Sequence, residues 1–161
     1  MNRLLILSVL LLSLLVGNPA FSADFQKGVD AYESGDYATA LREWTPLAEQ
    51  GNADAQVNLG VMYRKGEGVP QNDKTAVKWY TLAAEQGNAS AQFNLGVMYD
   101  EGEGVPQNDK TAVKWYNLAA SQGDKDATKY RDFVAKRMTP ADVSKAQRLA
   151  QKCVKKNYRG C

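Results

Sequence analysis

The sequence has 161 residues, of which 44% are hydrophobic and 24% are charged, with two cysteines, no histidine and a formal net charge of +2. The missing histidine excludes a Ser-His-Asp triad, a Cys-His dyad and imidazole metal ligands, and two cysteines cannot form a four-thiolate zinc site. The length fits one domain of ordinary size. We therefore expect no metal site and no cofactor.

The chain opens with the layout of a secretory signal peptide. Arg3 precedes an apolar run from Leu4 to Val16, and small residues follow it. The run is shorter than the roughly 20 residues that a membrane-spanning helix needs. We predict a signal peptide over residues 1–22, with cleavage after residue 22 or, less favourably, 23. The product is then periplasmic or secreted and does not span a membrane; an uncleaved N-terminal anchor helix is the alternative.

The rest of the chain is repetitive. Residues 52–87 and 88–123 match at 30 of 36 positions, residues 24–51 are a shorter version of the same unit, and residues 124–161 are a degenerate fourth one. A period of this length is typical of solenoids built from stacked helix pairs. The sequence therefore predicts a single all-α domain over residues 23–161, a solenoid of about four antiparallel helix pairs.

Each long repeat predicts two helices. In residues 52–87, Ala55, Leu59 and Tyr63 form one apolar stripe, and Gly60 lies where another helix can approach closely. The loop GEGVPQND ends this helix, and the second helix begins near Asn72. The residues predicted to form the buried side of the second helix are Ala76, Trp79, Tyr80, Leu82 and Ala83.

These repeats carry a family resemblance. The pattern A-x-A-Q-x-N-L-G-x-M-Y-x-x-G-x-G-V, followed by D-K-x-A-x-x-W-Y-x-x-A-A-x-x-G, resembles the Sel1-like repeat, a relative of the tetratricopeptide repeat. The resemblance implies a right-handed solenoid that acts as a non-enzymatic adaptor, in which the first helices of successive pairs line a concave face that binds a protein or peptide. Some cysteine-rich secreted members are associated with binding or weakly hydrolysing β-lactams, although their paired cysteines are absent here. A β-lactam or cell-wall-fragment binding protein or weak hydrolase is therefore the alternative function.

The differences between the two long repeats point to a candidate groove. Four of the six differences lie on the first helix, away from its apolar stripe, where tetratricopeptide repeats face their ligand. Asn58 and Asn94 correspond to an asparagine that hydrogen-bonds the ligand in peptide-binding tetratricopeptide proteins. The six differences are Asp54/Ser90, Val57/Phe93, Arg64/Asp100, Lys65/Glu101, Thr81/Asn117 and Glu85/Ser121. The predicted partner-binding residues are Asp54, Val57, Asn58, Val61, Arg64, Lys65, Ser90, Phe93, Asn94, Val97, Asp100 and Glu101.

Two other interpretations of these differences stay open. Exposed positions can drift because nothing constrains them. Alternatively, Arg64 and Lys65 can form exposed ion pairs with Asp100 and Glu101 of the next repeat, a contribution of typically about 0–1 kcal/mol each.

Charge is distributed unevenly along the chain. Residues 24–123 contain 8 Lys and Arg against 14 Asp and Glu, a net charge of −6, whereas residues 124–161 contain 11 against 4, a net charge of +7. A basic cluster of this kind can attract an anionic surface. The alternatives are a polar cap on the last helix and head-to-tail self-association. We expect a monomer that has no nucleic-acid partner.

The two cysteines lie eight residues apart in CVKKNYRGC. On a continuous helix this spacing corresponds to about 12 Å, whereas a disulfide needs Cα atoms within about 7 Å. We therefore predict a Cys153–Cys161 disulfide that requires a chain reversal, for which Asn157 and Gly160 are suitable. Free thiols, a metal ligand pair or a redox pair are the alternatives.

Overall fold

The computed structural model describes residues 23–161, so the predicted signal peptide lies outside the described residues. Within this range the chain contains helices and no strand, which confirms the predicted all-α fold class. None of the helices in that range is long and apolar enough to cross a membrane. The eight helices are α1 (Phe25–Glu33), α2 (Tyr37–Glu49), α3 (Ala53–Lys65), α4 (Asp73–Ala84), α5 (Ala89–Glu101), α6 (Asp109–Ser121), α7 (Lys125–Ala135) and α8 (Pro140–Lys155).

Every helix begins at a polar N-cap residue. In each case an Asp, Asn or Thr side chain accepts a hydrogen bond from the backbone N–H three residues later. Asn72 holds this place before α4, and Thr139 holds it before α8. Such a cap satisfies a backbone donor that the helix itself leaves unpaired, typically stabilising the helix by about 1 kcal/mol. The caps therefore set the repeat boundaries locally.

A glycine in the first helix of each of the first three pairs allows close packing. Aromatic rings of the second helix lie against these glycines: Trp44 on Gly28, Tyr80 on Gly60 and Tyr116 on Gly96. A Cβ atom built on Gly60 would lie 2.4 Å from Cε1 of Tyr80, closer than real side chains approach. The ring therefore occupies the space that a side chain would take, as the sequence predicts for Gly60.

The fourth repeat departs from the predicted helix pair. α1 packs on α2, α3 on α4 and α5 on α6, and α7 packs on α6 as the next first helix. However, α8 packs along α6 and makes little contact with α7. The buried residues of α8, Ala146, Ala150 and Cys153, lie in core clusters with side chains of α6. Because α8 does not cover α7, Phe133 on α7 stays 65% exposed.

This arrangement also corrects one predicted core residue. Ala76, Tyr80 and Ala83 are buried as predicted, but Leu82 is 47% exposed. Its counterpart on α6, Leu118, is only 1% exposed, since it belongs to the cluster that contains Ala150 of α8. The two repeats thus differ in burial because only α6 has a helix packed over its outer side.

The chain reverses after α8 and a disulfide joins Cys153 to Cys161, with Cα atoms 5.6 Å apart. Asn157 and Gly160, with φ of 49° and 63°, contribute to the reversal. Nζ of Lys114 on α6 donates a hydrogen bond to the carbonyl oxygen of Cys161 at 2.6 Å. The C-terminal tail, residues 156–161, therefore closes over α6.

Lys114 makes the stability of this region depend on pH. It is only 6% exposed, its ammonium group lies 3.8 Å from the centre of the Trp115 ring, and burial lowers its pKa to about 8 from 10.5. Between these two values the unfolded chain binds a proton that the folded chain lacks. We therefore expect the free energy of unfolding to rise as the pH increases from about 8 toward 10.

Above pH 10 the trend should reverse. Burial raises the pKa of Tyr80 and of Tyr116 above 10.0, so the unfolded chain loses these protons first and stability falls. Urea unfolding between pH 7 and 11 measures both effects. Lys114→Met should abolish the rise, whereas Lys78→Met, at the exposed equivalent position of α4, should keep it. An equal rise in both variants would assign it to another group.

Candidate partner-binding groove

The predicted groove residues lie on α3 and α5. Val61, Arg64 and Lys65 of α3 and Asn94 of α5 line one open cavity of about 260 Å³, together with Tyr80 of α4. The structure thus brings four of the twelve predicted residues to one cavity between two successive repeats. Of the others, Val57, Asn58, Phe93 and Asp100 are partly buried, while Asp54, Ser90 and Glu101 are exposed.

Val97 is buried, whereas its counterpart Val61 is partly exposed in the groove. Val97 is only 6% exposed and lies in a core cluster with Ala127 and Val134 of α7. Val61 has no such cover and remains partly exposed. The predicted apolar contribution of this position to the groove is therefore confined to Val61.

Asn94 is partly engaged by its own helix. Its Nδ2 donates a hydrogen bond to the backbone carbonyl of Ser90 at 2.9 Å. Asn94 also lines the cavity, and its side-chain oxygen is a hydrogen-bond acceptor. A ligand backbone N–H is the group that this oxygen can bind.

Arg64 pairs with carboxylates of the next repeat. Its Nη2 lies 2.9 Å from Glu101 and 2.9 Å from Glu103, and its Nε donates to Glu103 at 3.0 Å. Of the predicted ion pairs across the stack, the Arg64–Glu101 pair is therefore present. The desolvation of Glu101, together with the nearby Glu103 carboxylate, raises the pKa of Glu101 despite Arg64.

Lys65 and Asp100 have different partners from those predicted. Lys65 turns to the first repeat, where its Nζ donates to the hydroxyl of Tyr32 at 3.3 Å. Asp100 pairs with Arg137, which also binds Asp109 through Nε and Nη2 at 2.8 and 2.7 Å. This two-point contact lowers the pKa of Asp109. Each junction between repeats therefore has its own polar contact.

The remaining first-helix differences follow the same rule. Oδ1 of Asp54 accepts a hydrogen bond from Asn88, the N-cap residue of α5, at 2.9 Å. At the next junction the N-cap residue is Asp124, and the residue that corresponds to Asp54 is the uncharged Ser90. Phe93 packs edge-on against Tyr130 of α7, with ring centres 5.4 Å apart. Asp54 and Phe93 thus both contact a side chain of the repeat that follows them.

The sequence interpretation missed two groups that shape the groove rim. Glu67 and Glu103 lie in the loops between paired helices, where Glu67 accepts a hydrogen bond from the Tyr32 hydroxyl at 2.6 Å and Glu103 binds Arg64. The repeated GEGV segment was the available signal. Within residues 23–161, no group of three His, Cys, Asp or Glu side chains converges as a candidate metal site.

Known proteins share this architecture. The crystal structure of a protective antigen present in uropathogenic Escherichia coli strains, which displays an SLR fold, is 27% identical with a TM-score of 0.76 over 81% of this chain and 30% of that one. A Sel1 repeat protein from Oxalobacter formigenes is 34% identical with a TM-score of 0.68, over 80% of this chain and 55% of that one. This chain therefore spans about a third to a half of those structures. No curated protein matches it.

The repeat assignment comes from the sequence family. The family description "Sel1 repeat" matches residues 53–88 and 89–124, which contain α3 to α6. Sel1-repeat proteins typically act as scaffolds for protein interactions. The chain thus carries two Sel1 repeats, within an α-solenoid of the fold that Sel1-repeat proteins share.

Proposed function

We propose that the protein is an exported adaptor without enzyme activity that binds a peptide or protein segment along α3 and α5. The observation that carries the proposal is the cavity of about 260 Å³ lined by residues of both helices. The typical scaffold role of Sel1-repeat proteins supports it.

The cavity residues suggest how a ligand is held. The side-chain oxygen of Asn94 accepts a backbone N–H of the ligand, and Val61 contacts an apolar side chain beside it. Arg64 is already bound by two carboxylates, so it shapes the rim and does not supply free charge. Lys65 lies 3.7 Å from Glu67, but its side chain is 57% exposed, so its ammonium group can also contact a ligand carboxylate.

A peptide-binding experiment tests the groove. Peptides selected from a random displayed library on the wild-type protein should bind the Asn58→Ala/Asn94→Ala variant about tenfold more weakly, since each lost hydrogen bond is worth about 0.5–1.5 kcal/mol. Gln50→Ala removes an exposed amide at the end of α2 and should leave affinity unchanged. If every selected peptide binds the double variant as tightly as the wild type, the groove is not the binding site.

Export is the second part of the proposal. The signal-peptide layout of residues 1–22 supports it, and a disulfide between Cys153 and Cys161 is compatible with an oxidising compartment. Intact mass spectrometry of the protein from a periplasmic extract should give the mass of a chain that begins near residue 23. Recovery of the full-length chain from the cytoplasm alone would contradict export.

A further inference from the structure

A second cleft lies at the other end of the described chain. Because α8 packs along α6 and leaves α7, a gap of about 350 Å³ remains between α7 and α8, with α6 at its base. None of its lining residues belongs to the groove of α3 and α5. Its polar lining comprises Asn117 and Ser121 of α6, Thr128 and Arg131 of α7, and Gln147 and Gln151 of α8.

Both second-helix differences between the long repeats fall in this cleft. Thr81 satisfies its own hydroxyl by donating to the carbonyl of Val77 at 2.7 Å. Its counterpart Asn117 has a buried Nδ2 with no hydrogen-bond partner among the described residues. A buried donor without a partner costs free energy. Asn117 lines the gap and its terminal amide torsion is soft, so a bound acceptor recovers this free energy if the amide turns Nδ2 into the gap.

The second difference removes a negative charge. Glu85 of the earlier repeat is replaced by Ser121 in the cleft lining. Only the later repeat has α7 and α8 beside it, so both changes occur where the cleft exists. The hydroxyl of Ser121 donates to the carbonyl of Leu118 at 2.7 Å, so at this position the change takes away a carboxylate and leaves Asn117 as the lining residue with an unpaired donor.

The surroundings of the cleft are basic. Residues 124–161 carry 11 Lys and Arg against 4 Asp and Glu. Arg131 is the charged residue of the lining and pairs with its neighbour Asp132 at 2.8 Å. The helix period places Arg148 and Lys155 next to Gln151, three residues before it and four after it. A concave site with this charge raises the local concentration of anionic ligands and selects for them.

The amides of α8 favour a peptide over other anions. Gln147 and Gln151 are separated by one helical turn, about 6 Å along the axis, which is close to the roughly 6.6 Å spanned by two residues of an extended chain. Each amide offers a donor and an acceptor, as does each peptide group. We propose that the cleft binds an extended acidic segment of another protein. The backbone of this segment binds the side-chain amides of Gln147 and Gln151, and its carboxylates contact Arg131, Arg148 and Lys155.

The twin repeat supplies a matched variant for the test. Asn117→Thr/Ser121→Glu installs in the cleft the two residues that the earlier repeat carries, so the helix itself tolerates them. Displayed random peptides are selected on the wild type and on this variant. Acid-rich peptides should be enriched on the wild type at least tenfold over the variant, and the reciprocal variant Thr81→Asn/Glu85→Ser should behave as the wild type.

A second pair of variants separates the cleft from general electrostatic attraction. Arg131→Gln should weaken binding of the selected peptides about tenfold. Lys136→Gln removes one exposed positive charge at the C-cap of α7, outside the cleft lining, and should leave binding nearly unchanged. Circular dichroism checks that each variant folds. These peptides should still bind the Asn58→Ala/Asn94→Ala variant. The experiment therefore distinguishes a failure of the cleft proposal from a failure of the groove proposal.

Three results would overturn the assignment. One is a selection that yields no acid-rich peptides, and another is equal enrichment on the wild type and Asn117→Thr/Ser121→Glu. The third is that vesicles containing phosphatidylglycerol bind wild type and variant equally and displace the peptides from both. That outcome would show that the basic region binds a membrane surface and that the cleft does not bind a peptide.

Discussion

Gly60→Ala is expected to lower the free energy of unfolding by about 1–3 kcal/mol, even though alanine in a helix is normally about 1 kcal/mol more favourable than glycine. The reason is the Tyr80 ring, whose Cε1 lies 2.4 Å from the position of the added methyl group. Tyr80 is only 1% exposed, so moving its ring away from the methyl group disturbs the packing of the buried cluster in which it lies. Urea unfolding followed by circular dichroism measures the change.

A double-mutant cycle identifies the cause. In a Tyr80→Leu background the ring is absent, so adding the methyl group at Gly60 should cost much less or stabilise the helix. Gly96→Ala should repeat the result against Tyr116, where the corresponding distance is also 2.4 Å. Equal costs of Gly60→Ala in both backgrounds would show that the ring is not responsible.

Removing the disulfide is expected to lower the free energy of unfolding by a similar amount, through the C-terminal end of the solenoid. Cys153→Ala/Cys161→Ala should lower stability by about 2–3 kcal/mol, as the closed loop is short. The bridge would no longer hold the Cys161 carbonyl on Lys114 of α6, or Tyr158 against the core cluster that contains Tyr80 and Trp115. Amide hydrogen exchange should therefore accelerate in α8, while α3 to α5 keep their protection.

The wild-type protein in reductant should give the same exchange pattern as the double variant. Lys114→Met, which keeps both cysteines, serves as the control because it removes the Lys114 contact with the tail but not the covalent link. Protection of α8 that does not change on reduction would show that packing on α6, and not the bridge, holds the helix.

Much of the fold could be read from the sequence because its determinants are local and repeated. Asn72 marks the start of α4, and Gly60 marks the close approach of an aromatic ring. The position of α8 could not be read in this way. Its small buried residues recur at helical spacing, and that pattern is the same whether the helix packs on α6 or on α7.

The sequence predicts where the candidate groove lies, but not which of its side chains are exposed or paired. Its location on α3 and α5 follows from the repeat. However, the burial of Val97 depends on α7, which belongs to another repeat with little matching sequence. Likewise Arg64 finds Glu103 at a distance of 39 residues along the chain, and only the stacked structure brings them together.

The junction contacts have a consequence for how the chain avoids misassembly. Two helix pairs that match at 30 of 36 positions can, during folding, pack in the wrong order or exchange between two chains. In the exchanged order, Arg64 would take the place of Asp100 and face Arg137, so the two guanidinium groups would repel each other. The few positions at which the two repeats differ therefore distinguish them during folding. Their charges favour the native order of the repeats over the exchanged order.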